Sequence, residues 1–296
     1  MLRIESKKYF IGALFLFIFS VFLFISALFI KNDTNIALDE TQKASITKNI
    51  KKPKQKPKPT PKIELLGSAT TTFWGSSANR KHNIKIGAKY VSDIEVAPGE
   101  TYSFLEHLGN VGPKEGYKKE LVISAGSTKK EYGGGICQVS TTLFRAVLDA
   151  GLPVVERHGH GYVVGYYGPG LDATIYGPWT DFKFLNDTGY PIIVKSTTTN
   201  NSINFSIYGV NDGRVSTTTP VKITNVKRPP KPIYTPDFSL DLGKKWCTET
   251  AVRGMDTTVT YSIKYKDGQE KVQVFNTKYK PWGKRCYLGV KVTPKR

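Results

Sequence analysis

The longest apolar stretch of the chain runs uncharged from Phe10 to Ile30 and consists mostly of Phe, Leu and Ile. A helix of about twenty residues spans roughly 30 Å, the thickness of a bilayer's hydrocarbon core. Arg3, Lys7 and Lys8 precede it, so the positive-inside bias predicts a cytoplasmic N-terminus and a remainder outside the cytoplasm. A secretory signal has an apolar region of about 7–15 residues and a small-residue cleavage site. The longer run and the lack of an A-x-A site predict an uncleaved anchor over 1–31, with a long signal peptide as the alternative. Residues 32–62 are polar and end in KKPKQKPKPTPK, Lys51 to Lys62. Alternating Pro and Lys predicts an extended stalk, those twelve residues reaching about 35–40 Å.

From Ile63 the pattern becomes globular and strand-rich. Phe182 and Phe184 alternate before the turn Asn186-Asp187-Thr188-Gly189; Ile192 to Lys195 follows, and then Ile203, Phe205 and Ile207 alternate again. These predict an antiparallel meander. One helix stands out, beginning near Cys137. Val139, Leu143, Ala146, Val147 and Ala150 recur at helical spacing, and Gly151 and Pro153 stop it. KRPPKPIYTPD, Lys227 to Asp237, reads as a linker by its prolines. Beyond it Val259, Tyr261, Ile263 and Tyr265 alternate up to Asp267-Gly268, and Val272 and Val274 alternate on the return, predicting a hairpin. The expected class is therefore α+β: a strand-rich domain over 63–212 with one helix carrying Cys137 at its N-terminus, a linker at 213–238 and a small all-β module at 239–296.

Composition narrows the partners. A net charge of +19 admits nucleic acid in principle, but no helix-turn-helix, finger or RNA-binding signature accompanies it. With the charge outside the cytoplasm, the polyanions within reach are cell-wall polymers and lipid head groups, so the expected partners are anionic wall polymers and the membrane, not nucleic acid. Of three cysteines, Cys247 and Cys286 lie near the C-terminus and Cys137 stands apart. Outside the cytoplasm the pair either bridges or stays reduced and buried. A bridge closing a loop of about 40 residues stabilises by about 3–4 kcal/mol in the chain-entropy model.

The sharpest chemical signal is Gly133-Gly134-Gly135-Ile136-Cys137-Gln138-Val139-Ser140. Glycines running straight into a helix place Cys137 at its N-terminus, where free N–H groups and the dipole favour a thiolate. The same N–H groups, around Gly134, Gly135 and Gln138, could hold an oxyanion. His158 and His160 are two of only four histidines, and either could serve as base to Cys137, oriented by Asp172. Two other readings stay open: Cys137 as a small buried hydrophobe, or Cys137, His158, His160 and Asp172 as a zinc site. No phosphate loop or dinucleotide fingerprint is present. No cofactor is expected, and the metal reading lacks a C-x-x-C or H-E-x-x-H to support it.

GGGICQVSTTLFRAVLDAGL (Gly133 to Leu152), ERHGHGYVVGY (Glu156 to Tyr166) and GLDATIY (Gly170 to Tyr176) closely resemble the VanW family. So do Asn79-Arg80 with Asn83-Ile84, the Pro98 to Phe104 stretch, Gly112 with Gly116-Tyr117, and Asp181 to Asn186. The resemblance implies a bacterial, mostly Gram-positive wall protein of a family named from glycopeptide (vancomycin) resistance clusters and linked to L,D-transpeptidation of peptidoglycan with 3-3 cross-links. It implies Cys137 as nucleophile and His160, rather than the more variable His158, as its base. Asp172, Arg157 and Arg80 fall on motif positions. Asp172 is expected to orient the histidine, and Arg157, His158 and Arg80 to contact substrate stem peptides. The expected activity is thus a membrane-bound cysteine L,D-transpeptidase. A cysteine endopeptidase and a non-catalytic wall-binding protein are the alternatives. Gly254, Thr258-Val259-Thr260, Gly268, Tyr279 and Pro281-Trp282 resemble the small glycine-named (G5-type) domain, which implies wall or glycan attachment through Trp246, Tyr279 and Trp282.

Overall fold

The computed structural model describes residues 61–124 and 127–291. The expected anchor and nearly all of the expected stalk lie outside the described residues. Among those described, no helix is long and apolar enough to cross a membrane. The described elements run β1 (Ile63–Thr72), α1 (Ala78–Tyr90), β2 (Ile94–Val96), β3 (Thr101–Ser103), α2 (Phe104–Leu108), β4 (Lys119–Ser124), β5 (Ser127–Tyr132) and α3 (Ile136–Asp149). Then come β6 (Val154–Glu156), β7 (Lys183–Leu185), β8 (Ile192–Thr198) and β9 (Ser202–Val210). The chain ends in β10 (Val215–Thr218), β11 (Lys222–Lys227), β12 (Ile233–Asp237), β13 (Lys245–Glu249), β14 (Gly254–Lys264), β15 (Glu270–Tyr279) and β16 (Arg285–Gly289). The protein is strand-rich with few helices, as the sequence led us to expect.

α3 is the axis of the core. Its apolar positions Val139, Leu143, Phe144, Ala146 and Val147 are fully buried; a large side chain removed from water in this way contributes about 1.5–3 kcal/mol. The helix packs on β1 and β9, an edge strand and its neighbour in an antiparallel sheet ordered β1-β9-β8-β2. It ends where the sequence said it would. Gly151 takes φ +70°, and the Gly151 and Leu152 N–H groups donate to Leu148 O at 3.2 Å and Val147 O at 3.1 Å. That doubled closure needs a left-handed residue, which glycine supplies without a Cβ penalty.

Three expectations are corrected. β8 and β9 form the expected hairpin, but β7 leaves the meander and pairs with β3 and β6. α1 was not foreseen, because its buried positions Asn83, Ile84, Gly87 and Ala88 make a small and partly polar stripe. The expected linker, 213–238, contains β10, β11 and all of β12. Its prolines 229, 230 and 232 sit in the connection between β11 and β12, where a missing N–H costs no ladder bond. β11 is exposed along its whole length and so shows no alternation to read.

The C-terminal strands are built into the rest. The described residues form one compact unit. β14 carries β10 and β11 on one side and β15 on the other. Its buried Val259, Tyr261 and Ile263 are the alternating residues of the expected hairpin. On β15 the buried face is Phe275, Thr277 and Tyr279, while Val272 and Val274 face solvent. Phe144 of α3 meets Phe182 edge-on at 5.6 Å and Phe275 at 5.5 Å, joining both halves of the chain in one core. Tyr261 Oη donates to Leu152 O at 3.1 Å, and Gln273 bonds both the N–H and the carbonyl of Val154. Cys247 and Cys286 are disulfide-bonded, tying β13 to β16.

Candidate active site

The hairpin of β4 and β5 runs into the glycines, and the glycines into α3. Gly135 caps the helix at φ +113°, a conformation that L side chains rarely adopt. The turn is held from α1. Buried Asn83 donates to Gly134 O at 3.1 Å and to Lys118 O at 2.9 Å, and accepts from the Lys118 N–H at 2.8 Å. Cys137 thus stands at the second helical position, half-buried. Its sulfur lies 3.6 Å from Thr174 Oγ1 and donates to Ile175 O at 3.7 Å.

The segment carrying Thr174 and Ile175 is clamped to the helix by polar side chains that the sequence reading left unassigned. Ser140 and Thr141 hydroxyls donate to Ala173 O at 2.6 and 3.2 Å, and Thr141 Oγ1 accepts from the Ala173 N–H. Thr174 N–H donates to His158 O at 2.8 Å, laying the histidine segment beside it.

His160 lines the same cleft as Cys137, near enough for its charge and hydrogen bonding to act on the thiol. Its Nδ1 lies 2.6 Å from Asp172 Oδ2, and its backbone N–H donates to the same oxygen at 2.7 Å. With Nδ1 committed, Nε2 is the nitrogen left for the thiol; Tyr167 Oη lies 3.2 Å from it. Asp172 is 1% exposed. Its other oxygen accepts from Arg157 Nη2 at 3.0 Å and from the Tyr279 hydroxyl.

Charges follow from these contacts. Burial pushes the Cys137 thiol up, but the hydrogen bond and charge of His160, helped by Ile175 and Thr174, outweigh it and bring the thiol down to about 7. Burial works to lower His160, yet Asp172 and Cys137 raise it to about 9. Burial works to raise Asp172, while His160 and Arg157 hold it below the ordinary carboxylate range. Between those two values a thiolate–imidazolium pair is the favoured state, a nucleophile with a proton donor in contact.

A cleft of about 530 Å³ opens over the sulfur, lined among others by Arg80, Leu121, Tyr132, His160, Tyr166 and Tyr176. Arg80, on α1, lies over the Tyr166 ring at 4.4 Å and donates to Gln138 Oε1 at 2.8 Å and Ser76 Oγ at 3.0 Å. The other expected substrate contacts are placed differently. Arg157 is buried, and its donors go to Asp172, Gly170 O and Thr277 Oγ1; the carboxylate it binds is the protein's own. His158 turns outward to Glu156, with Nε2 and Oε1 3.2 Å apart, so the two histidines diverge. Among the expected oxyanion donors, the Gln138 N–H is committed to Gly135 O at 3.0 Å. The Gln138 side chain is committed too, to Thr71, Thr72 O and Arg80. Tyr279 and Trp282, expected to meet glycan, are buried; Trp246 is exposed.

The site defines a cysteine–imidazole–carboxylate protein with the sulfur at a helix N-terminus. Residues 79–208 match the family model described as VanW like protein. The chain is 40% identical over 145 residues to "Uncharacterized protein YoaR" of Bacillus subtilis, covering 49% of this chain and 48% of that one. It is 35% identical over 116 residues to "Vancomycin B-type resistance protein VanW" of Enterococcus faecalis, covering 37% and 42%. The match thus spans about half the length of these curated relatives, or less. Among solved structures, the crystal structure of HP0197-G5 aligns with 25% of this chain and 97% of its own, at 21% identity and a TM-score of 0.14. A likeness at that score carries no argument.

Proposed function

We propose that the protein is a cysteine acyltransferase of the cell wall, an L,D-transpeptidase forming 3-3 cross-links between peptidoglycan stems. The observation that carries the reading is the Cys137–His160–Asp172 arrangement, opening on a cleft wide enough for a peptide. Relation to a vancomycin resistance protein supports a wall substrate. The Cys247–Cys286 disulfide supports an oxidising location, consistent with a membrane anchor at 1–31 and the globular part outside the cytoplasm.

Cys137 thiolate attacks the carbonyl of the third stem residue, and the tetrahedral oxyanion forms beside the Cys137 N–H at the start of α3. Collapse breaks the bond to the terminal D-Ala, whose amine leaves with the proton held on His160 Nε2. The acyl group is now a thioester. A side-chain amine of a neighbouring stem attacks it, gives its proton to His160 and releases Cys137 as the thiolate. Asp172 keeps its charge throughout and fixes the ring. Arg80 lines the cleft, which supports a contact with a stem carboxylate.

The test is intact-mass spectrometry of the protein mixed with a disaccharide-tetrapeptide whose third-residue side-chain amine is acetylated, so that no acceptor is present. A mass gain equal to the donor less D-Ala, lost on Cys137→Ala, supports the thioester. An unmodified folded protein that also leaves the donor untouched would overturn it. Water taking the place of the amine would make the same site a peptidase, seen as release of D-Ala and a shortened stem without cross-linked product.

A further inference from the structure

The histidine segment is held from a distance, by the end of β15. Arg157 Nη1 donates to Thr277 Oγ1 at 2.7 Å. Gly159, immediately before His160, lies so close to this strand that a Cβ there would sit 2.4 Å from Thr277 Cγ2. Lys280 N–H donates to Gly161 O at 2.7 Å, immediately after His160. Tyr162 meets Trp282 edge-on at 4.2 Å. Between these contacts stands Tyr279, 4% exposed, whose hydroxyl accepts from the Gly170 N–H at 2.7 Å and donates to Asp172 Oδ1. Thr277, Tyr279, Lys280 and Trp282 all lie beyond residue 208, where the VanW-like match ends.

We propose that the end of the C-terminal hairpin, Thr277 to Lys280, completes the active site, with Tyr279 a positioning residue that acts on His160 through Asp172. The Asp172 carboxylate has two oxygens with divided duties. Oδ2 takes both His160 N–H groups, and Oδ1 takes Arg157 and Tyr279. A carboxylate can turn about its last bond; donors on Oδ1 fix that turn and so fix Oδ2 against the imidazole. Tyr279 suits the task because burial and the neighbouring carboxylate push its hydroxyl up, keeping it protonated and a donor. Charged and titratable groups around Asp172 are Arg157, His160, Tyr279 and, further out, Arg145 on α3; those around Cys137 are His160, Tyr166 and Tyr167. Arg157 links β15 to the carboxylate indirectly, through Thr277, whereas Tyr279 is the β15 residue that bonds Asp172 directly. The module is therefore a working part of the site rather than a separate wall anchor.

The inference deepens the proposed function and rests on the same cysteine–histidine pair, so its test avoids turnover. The rate of Cys137 alkylation by iodoacetamide is measured against pH on the full-length protein, Tyr279→Phe and Tyr261→Phe. Tyr261→Phe removes a buried hydroxyl from the same interface, where it bonds Leu152 O rather than Asp172. Thermal melting checks that each variant is folded. Wild type and Tyr261→Phe should share one profile, while Tyr279→Phe should move to higher pH by about half a unit or more, as a loosened imidazolium stabilises the thiolate less. A folded Tyr279→Phe whose profile overlays the wild type, or moves to lower pH, would overturn the assignment. If the shift occurs but no variant or wild type forms a thioester with stem peptide, the positioning role stands and the transpeptidase reading falls.

Discussion

His160 Nδ1 and Asp172 Oδ2 lie 2.6 Å apart, with the His160 backbone N–H on the same oxygen at 2.7 Å. Ring and backbone are thus fixed by one carboxylate oxygen: Nδ1 carries the proton for Asp172, which leaves Nε2 as the nitrogen available to the thiol.

Removing the charge from Asp172 while keeping its size separates orientation from electrostatics. Asp172→Asn should lower thioester formation by about 10²–10⁴-fold, because the imidazolium loses its counter-charge and Nδ1 its acceptor. The same change leaves Arg157 buried without its partner, so urea unfolding should show a loss of about 3–5 kcal/mol. Loss of activity with unchanged stability would mean that the Arg157–Asp172 pair does not hold the segment.

The pH dependence follows from the two shifts. A thiol brought down from 9.0 to about 7 keeps its reactive charged form to lower pH, so alkylation of Cys137 should be half-maximal near pH 7. His160, raised to about 9, loses its proton above that value. Acyl transfer, needing thiolate and imidazolium together, should rise through about pH 7 and fall through about pH 9. A single alkylation midpoint at an ordinary thiol value would argue against the pair.

Gly159 carries a steric prediction. The close approach of Thr277 leaves no room for a methyl group, and overpacking of this kind costs about 1–3 kcal/mol. Gly159→Ala should lower the melting temperature and slow Cys137 alkylation together. Gly161→Ala, where a Cβ meets nothing within 4 Å, should do neither.

The disulfide is distant in chemistry though not in stability. Its cysteines are 39 residues apart, and replacing both by Ala should cost about 3–4 kcal/mol by the chain-entropy model. Reduction should therefore lower the melting temperature while the Cys137 alkylation midpoint stays where it was.

What could be read in the sequence depended on how local each cause was. α3 was legible from start to stop, because Val139, Leu143, Ala146 and Val147 repeat at helical spacing and Gly151 ends them. The β14–β15 hairpin was legible from its alternation and Asp267-Gly268. The valines at 272 and 274, however, proved to be the solvent face, and the packing face, with Phe275, Thr277 and Tyr279, is partly polar. α1 escaped because its inward side includes Asn83, a residue buried to bond the Gly134 turn rather than to fill a core. Arg157 pointed to a carboxylate, but spacing could not say that the carboxylate was Asp172. Cys137 and Asp172 could be grouped with either histidine from the residues alone; choosing His160 over His158 needed family resemblance, since these groups reach one another only through the fold. Tyr279 meets Asp172 across 107 residues, and no local pattern marks such a contact.

The most direct measurement incubates the full-length protein in detergent, and its Cys137→Ala variant, with disaccharide-tetrapeptide, then separates the products and weighs them by mass spectrometry. The expected result is dimers joined through two third-position residues, made by the wild type and absent from Cys137→Ala. Dimers formed equally by both proteins, or none formed by a folded wild type whose Cys137 alkylates with a midpoint near pH 7, would contradict transpeptidation by this cysteine.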